Sequence, residues 1–251
     1  MHPLFDRPKP YILAHRGASD VAPENTLAAF TTAVEAGADI IETDLWFTGD
    51  GELVCHHDAT VKRMTGQPGR INQMTVQDVT SLPIRSRLGA QWHDQRIPTL
   101  AQTLDAIPMT VMLAVELKDP RFAQEGWAVK LVRQVENRIE RQQIVALAFD
   151  RRRLDTVLRV CPSFPIGYIS VLELLPVKHA QILGPFWPVL YVNPGYVAHA
   201  HRRGQWVCPL DPRPEKRLTR YLQLGVDAIM SNNPAALRAQ IDKLAATGAV
   251  G

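Results

Sequence analysis

Eight short β-rich runs alternate with helical patterns along this chain, and no other feature of it constrains the fold as much. The strand-like runs cover residues 11–15, 39–45, 110–118, 144–149, 166–169, 189–193, 206–209 and 228–232. Helical patterns follow at about 26–36, 100–106, 122–141, 151–161, 178–183, 196–202, 215–224 and 234–246. Strands each followed by a helix build parallel βαβ units. Eight such units in 251 residues specify an α/β fold of the (β/α)8 type, a TIM barrel. A doubly wound open sheet is the alternative, but no Gly-rich dinucleotide loop follows the first strand.

One run breaks the rhythm. Residues 53–57 read as a strand only a few positions after 39–45, and Thr48-Gly49-Asp50-Gly51 between them is far too short for a parallel crossover. Residues 44–57 therefore read as a β-hairpin on the end of the second strand, with His57 beside Thr43 or Asp44. The segment 59–98 then stands outside the repeat as an insertion. It is either a substrate-facing lid or decoration, and it holds one helical pattern at 75–82.

Charge appears where the strands end. Glu42 and Asp44 are two apart, so they share the barrel-facing side of their strand, with Ile41 and Leu45 on the other. Met112, Ala114, Glu116 and Lys118 repeat the device on the next barrel strand. Apolar residues fill the lower layers and charge sits at the C-terminal end, where barrel enzymes keep their sites. Glu42, Asp44 and Glu116 make an oxygen-ligand set for one hard divalent cation, Mg²⁺ or Ca²⁺. A salt-bridge cluster, with Lys118 pairing Glu116, is the competing reading. His15 and Arg16 end the first strand, and His57 ends the hairpin. Two imidazoles suit a reaction that takes a proton from one oxygen and returns one to another, as phosphodiester cleavage does. Arg16 can fork onto a phosphate, and Lys118 can act as a point charge. The other histidines, at positions 2, 56, 93, 179, 199 and 201, lack such company. Asn25 or Thr26 reads as a helix cap, with Glu24 suited to the positive end of the helix.

The bulk properties exclude other classes. A net charge of +3 comes without a basic stripe, which argues against nucleic acid. No apolar run is long enough for membrane insertion, and the opening MHPLFDRPKP lacks the core of a signal peptide, so a cytoplasmic protein is expected. Cys55, Cys161 and Cys208 form neither a disulfide framework nor a zinc pattern.

HRGASDVAPENTLAAF (15–30), GADIIETDLWFTGDGELVCHHD (37–58), RIPTLAQTLD (96–105), VELK (115–118) and the weaker GVDAIMSNNP (225–234) carry a family resemblance. The chain resembles the glycerophosphodiester phosphodiesterases of the bacterial cytosolic type. The resemblance implies that residues 1–251 form a single catalytic TIM barrel with a small insertion. It implies that His15 and His57 are the acid–base pair, that Glu42, Asp44 and Glu116 hold the metal, and that Arg16 and Lys118 contact phosphate. It implies a small-molecule substrate such as glycerophosphocholine or glycerophosphoethanolamine, hydrolysed to sn-glycerol 3-phosphate and an alcohol. Two positions depart from the family pattern. Val207-Cys208-Pro209-Leu210-Asp211 stands where Trp-Thr-Val-Asn is common, and Ser231-Asn232 where Thr-Asp is common. Both are expected on the substrate wall. A lysophospholipase D or sphingomyelinase D-like phosphodiesterase, and a barrel that binds diesters without cleaving them, are the alternatives.

Overall fold

The structure, a computed structural model, describes residues 9–247. His2 and most of the leading segment read above lie outside them. In chain order the elements are β1 (Tyr11–Ala14), α1 (Leu27–Glu35), β2 (Ile40–Phe47), β3 (Leu53–Cys55), α2 (Lys62–Thr65), α3 (Val76–Ser81), α4 (Leu100–Ala106), β4 (Met112–Leu117), α5 (Glu125–Glu140), β5 (Ile144–Ala148), α6 (Arg151–Val160), β6 (Ile166–Ser170), β7 (Ile182–Pro185), α7 (Val189–Val192), α8 (Tyr196–His201), β8 (Trp206–Val207), α9 (Leu218–Leu224), β9 (Ala228–Ser231) and α10 (Pro234–Ala246). Eight strands pair in parallel in the order β8-β7-β6-β5-β4-β2-β1-β9, and β3 pairs antiparallel with β2. This is the expected (β/α)8 barrel.

The alternation of side chains along each strand separates two apolar layers. Ile12, Ile41, Leu45, Leu113 and Val115 point outward into a continuous core shared with the helices. Leu13, Ile40, Met112, Ala114, Val145 and Met230 fill the barrel interior. The β8–β9 seam closes without a strand ladder among the described residues. Instead Asp227 N donates to Val207 O (2.9 Å), and the Asp227 carboxylate accepts from Val207 N (2.7 Å) and His201 Nε2 (2.9 Å) and pairs with Lys9.

The hairpin forms in the expected place. Leu45 pairs with Cys55, Trp46 with Val54 and Phe47 with Leu53. Carried forward, that register sets His57 opposite Thr43, and His56 N donates to Asp44 O (2.9 Å). The segment after it encloses its own apolar cluster, in which Val61, Ile71, Val79, Ile84 and Ile97 pack with Val54 of β3.

Two expectations around residues 178–193 are corrected. The helix expected at 178–183 gives way to strand β7, and the strand expected at 189–193 is the single turn α7. Ile182-Leu183-Gly184-Pro185 looks like a poor strand on its own. It forms one because β6 and β8 offer ladders on both sides. Val189–Val192 is rich in β-formers, but it follows Pro188 and buries two adjacent residues, Val189 and Leu190, which a strand would send to opposite faces.

Asp227 is the test of closure. Replacing it with alanine orphans the Val207 N–H and strips His201 and Lys9 of their shared partner at the seam. Urea unfolding should show a loss of about 2 kcal/mol or more for Asp227→Ala, and less for Asp227→Asn, which keeps an acceptor. An unchanged midpoint for Asp227→Ala would refute the seam's dependence on this side chain.

Candidate active site

Parallel pairing of β2 with β4 places Asp44 directly beside Glu116 and Glu42 beside Ala114. Glu42, Asp44 and Glu116 therefore converge, each buried, with one oxygen from each within 4.8 Å of the others. Such a set resists full ionisation. Burial first, and then the charges of Asp44 and Glu116, push the Glu42 carboxyl well above the ordinary range. Burial also raises Glu116, and Asp44 adds to it against the opposing charge of Lys118.

Two cations face the cluster. Lys118 Nζ lies 2.7 Å from Glu116 and 3.3 Å from Asp44. Arg16 reaches Asp44 with Nε (3.2 Å) and Glu24 with Nη1 (3.0 Å), while its backbone N donates to Glu42 (2.8 Å). Their charges outlast burial because of these carboxylates, with Asp44 the largest favourable partner for both. The salt-bridge cluster considered above is thus present, and the metal-type donor set coexists with it.

Local backbone makes the Arg16 geometry possible. Arg16 itself is left-handed (φ 58°), and Gly17 follows at φ 78°. A Cβ on Gly17 would meet the Ala29 backbone at 2.6 Å, so only glycine lets the loop press against α1. Ser19 Oγ donates to the His15 carbonyl (2.9 Å) and braces the turn.

The two histidines sit in unlike settings. His15 is largely buried, and its Nδ1 meets Asn232 Oδ1 at 2.8 Å. An amide oxygen can only accept, so Nδ1 carries the proton and Nε2 is the free acceptor. Burial first, and then the Arg16 charge, push His15 down to about 4, so it is neutral at neutral pH. His57 is about a third exposed, and its Nδ1 meets the Asp58 carboxylate at 2.8 Å. Asp58 also accepts from Arg63 Nε (2.6 Å). Against the effect of burial, Arg63 and His57 hold Asp58 at about 2. His56 turns away, is buried, and bonds Thr60 O (3.1 Å).

Several residues here carry more than their sequence reading. Thr26 is the cap of α1, accepting from Ala29 N. Asn25 instead takes a left-handed backbone (φ 55°), donates to Asp44 Oδ2 (2.8 Å) and accepts from Thr43 Oγ1 (2.7 Å). Glu24 is no mere dipole partner, since Arg16 and Arg63 both donate to it. Asn232 bonds His15 rather than simply lining a wall. Asp211 is buried against Arg217 and Tyr221. The His57-Asp58 neighbour pair was a visible signal, but nothing in the sequence pointed to Arg63.

The description "Glycerophosphoryl diester phosphodiesterase family" belongs to the family profile that matches residues 15–236. A glycerophosphodiester phosphodiesterase from Caldanaerobacter subterraneus subsp. tengcongensis is 30% identical over 236 residues, covering 91% of this chain and 96% of that protein. A phosphodiesterase from Oleispira antarctica, solved with the product sn-glycerol-3-phosphate, superposes with a TM-score of 0.81 at 24% identity, over 93% of this chain and 97% of that one. A glycerophosphodiester phosphodiesterase from Agrobacterium tumefaciens gives 0.80 at 24% identity, over 92% and 100%. The barrel, the carboxylate cluster at its C-terminal end and these matches agree: the chain is an enzyme and belongs to the glycerophosphoryl diester phosphodiesterase family.

Proposed function

We propose that the chain hydrolyses small glycerophosphodiesters, such as glycerophosphocholine or glycerophosphoethanolamine, to sn-glycerol 3-phosphate and an alcohol, with a divalent cation and two-histidine acid–base catalysis. One observation carries the reading: a neutral histidine, a carboxylate-held histidine, two cations and three converging carboxylates share one end of the barrel.

The donor set fits a hard cation. Asp44 Oδ1 is buried and accepts no hydrogen bond, with Lys118 Nζ 3.3 Å away. Once ionised, as the cation requires, three carboxylates against Arg16 and Lys118 carry one negative charge in excess. A dication would turn that into one positive charge, which a diester monoanion matches. Glu42, Asp44 and Glu116 would hold Mg²⁺ or Ca²⁺, and oxygen donors suit both. When bound, the cation supplies Lewis-acid stabilisation of charge gathering on the phosphoryl oxygens.

The protein's own groups do the rest. Arg16 and Lys118 exchange part of their carboxylate pairing for phosphate oxygens and orient the diester. His15 enters neutral, with Nε2 free, and takes the proton of the glycerol 2-hydroxyl as it attacks phosphorus. His57, whose Nδ1–H is held by the Asp58 carboxylate, gives a proton from Nε2 to the leaving alcohol oxygen. Water then opens the resulting cyclic phosphate with the two histidine roles reversed. Asn232 and Asp58 each hold one ring by its Nδ1–H and leave Nε2 for proton transfer.

Release of glycerol 3-phosphate from glycerophosphocholine should stop with EDTA and return with Mg²⁺ or Ca²⁺. His15→Ala and His57→Ala should each lower kcat by roughly 10²–10⁴-fold with unchanged circular dichroism. Near-normal rates in both variants would refute the assignment.

Cation binding should also release a proton. Without the cation, the raised Glu42 carboxyl holds a proton that the unfolded chain has lost, so cation-free stability falls as pH rises above the ordinary carboxylate range. The cation needs the ionised form, so its affinity should climb over that same range. Calorimetry in buffers of different ionisation enthalpy measures this. A cation affinity independent of pH across that range would contradict it.

A further inference from the structure

An opening lies among residues that bond to the site. It measures about 260 Å³ and sits between the β1–α1 loop and the insertion, lined by Ser19, Glu24, Arg63, Arg85, Arg87 and Leu88 among others. That is below the roughly 300–1,000 Å³ of sites for drug-sized ligands and suits a small alcohol group.

Three of its walls are fastened to site residues. Ser19 bonds the His15 carbonyl. Glu24 bonds Arg16. Arg63 bonds Asp58, which in turn holds the His57 ring. Through Arg63 and Asp58 the opening is linked to the histidine read above as proton donor to the leaving alcohol.

Its charge is uneven. Arg63 is matched by Glu24 and Asp58. Arg85 and Arg87 form no ion pair with any carboxylate among the described residues, although both line the same opening. Arg85 is positioned by backbone: its N–H donates to Met64 O (2.6 Å), and its guanidinium lies over Gly66, where a Cβ would strike it. Two unmatched guanidiniums in one small opening repel a quaternary ammonium and fork onto a phosphate or carboxylate.

We propose that this opening is the subsite for the leaving alcohol, and that it selects glycerophosphodiesters whose alcohol carries its own anionic group. The inference rests on the hydrolytic reading above and narrows its substrate class. It also gives the insertion a part in the site: Arg63 comes from α2, and Arg85 and Arg87 from the stretch after α3.

A matched pair of diesters tests it: glycerophosphoglycerol, and the same compound carrying a phosphate on its second glycerol. Wild-type kcat/KM should be about tenfold higher for the phosphorylated diester. In an Arg85→Gln/Arg87→Gln chain the two values should converge to within about twofold. Equal wild-type values, or a preference that survives the double substitution, would overturn the subsite. Binding of the same pair to the His15→Ala chain supplies the ratio without turnover. A tenfold binding preference in a protein that hydrolyses neither diester would keep the subsite and discard the hydrolytic reading. Normal hydrolysis without preference would do the reverse.

Discussion

The carboxylate of Asp44 is the constraint on which the C-terminal end of this barrel depends. Strand register forces it beside Glu116, and strand alternation puts Glu42 on the same face. A buried anion among two others is costly unless positive charge and donors surround it. Here Asn25, Arg16 and Lys118 all turn toward it. Each of those approaches imposes a demand further out. Asn25 and Arg16 adopt left-handed backbone, and Gly17 must lack a side chain to seat the loop on α1. The HRG sequence and the loop down to Asn25 thus follow from the electrostatics of β2.

Charge alternates outward from that point. Asp44 pairs with Arg16, Arg16 with Glu24, Glu24 with Arg63, Arg63 with Asp58, and Asp58 with the His57 ring. An isolated exposed ion pair contributes about 0–1 kcal/mol. The use of this chain is more in placement than in stability. It ties β1, the loop before α1, the hairpin end and α2 into one network. A side chain contributed by the insertion thereby has a fixed distance from the barrel's carboxylates, as a site assembled from separate segments requires.

The sequence disclosed what periodicity and strand ends determine, and concealed what depends on long-range neighbours. The alternation of Glu42 and Asp44 with Ile41 and Leu45 was readable because a strand has only two faces. The hairpin at Thr48–Gly51 was readable because a short turn admits no crossover. The sixth barrel strand was not, since Ile182–Pro185 takes its conformation from the ladders of β6 and β8 rather than from its own residues. The same reason hid Asn25 and Arg63 as parts of the site, and Asn232 as a partner of His15. Asn25 beside Thr26 looks like a cap, and Ser231-Asn232 reads only as substrate wall. Only the closure of β9 against β1 brings Asn232 to a histidine more than two hundred positions away.

That closure bears on how two histidines of one chemical kind come to differ. His15 is buried and bonded to a neutral amide, and burial together with the Arg16 charge outweighs the pull of Asn232, Asp44 and Glu24 toward protonation. His57 is partly exposed and bonded to a carboxylate that Arg63 keeps ionised. The Asp58 carboxylate brings a negative charge to one ring, and an amide oxygen accepts the other's Nδ1–H without adding any. The difference is therefore built from the partners rather than from the imidazoles. It originates in two remote features, the β9 strand end that supplies Asn232 and the insertion that supplies Arg63. The end of β9 and the excursion after the hairpin thus supply the partners that hold the two histidines.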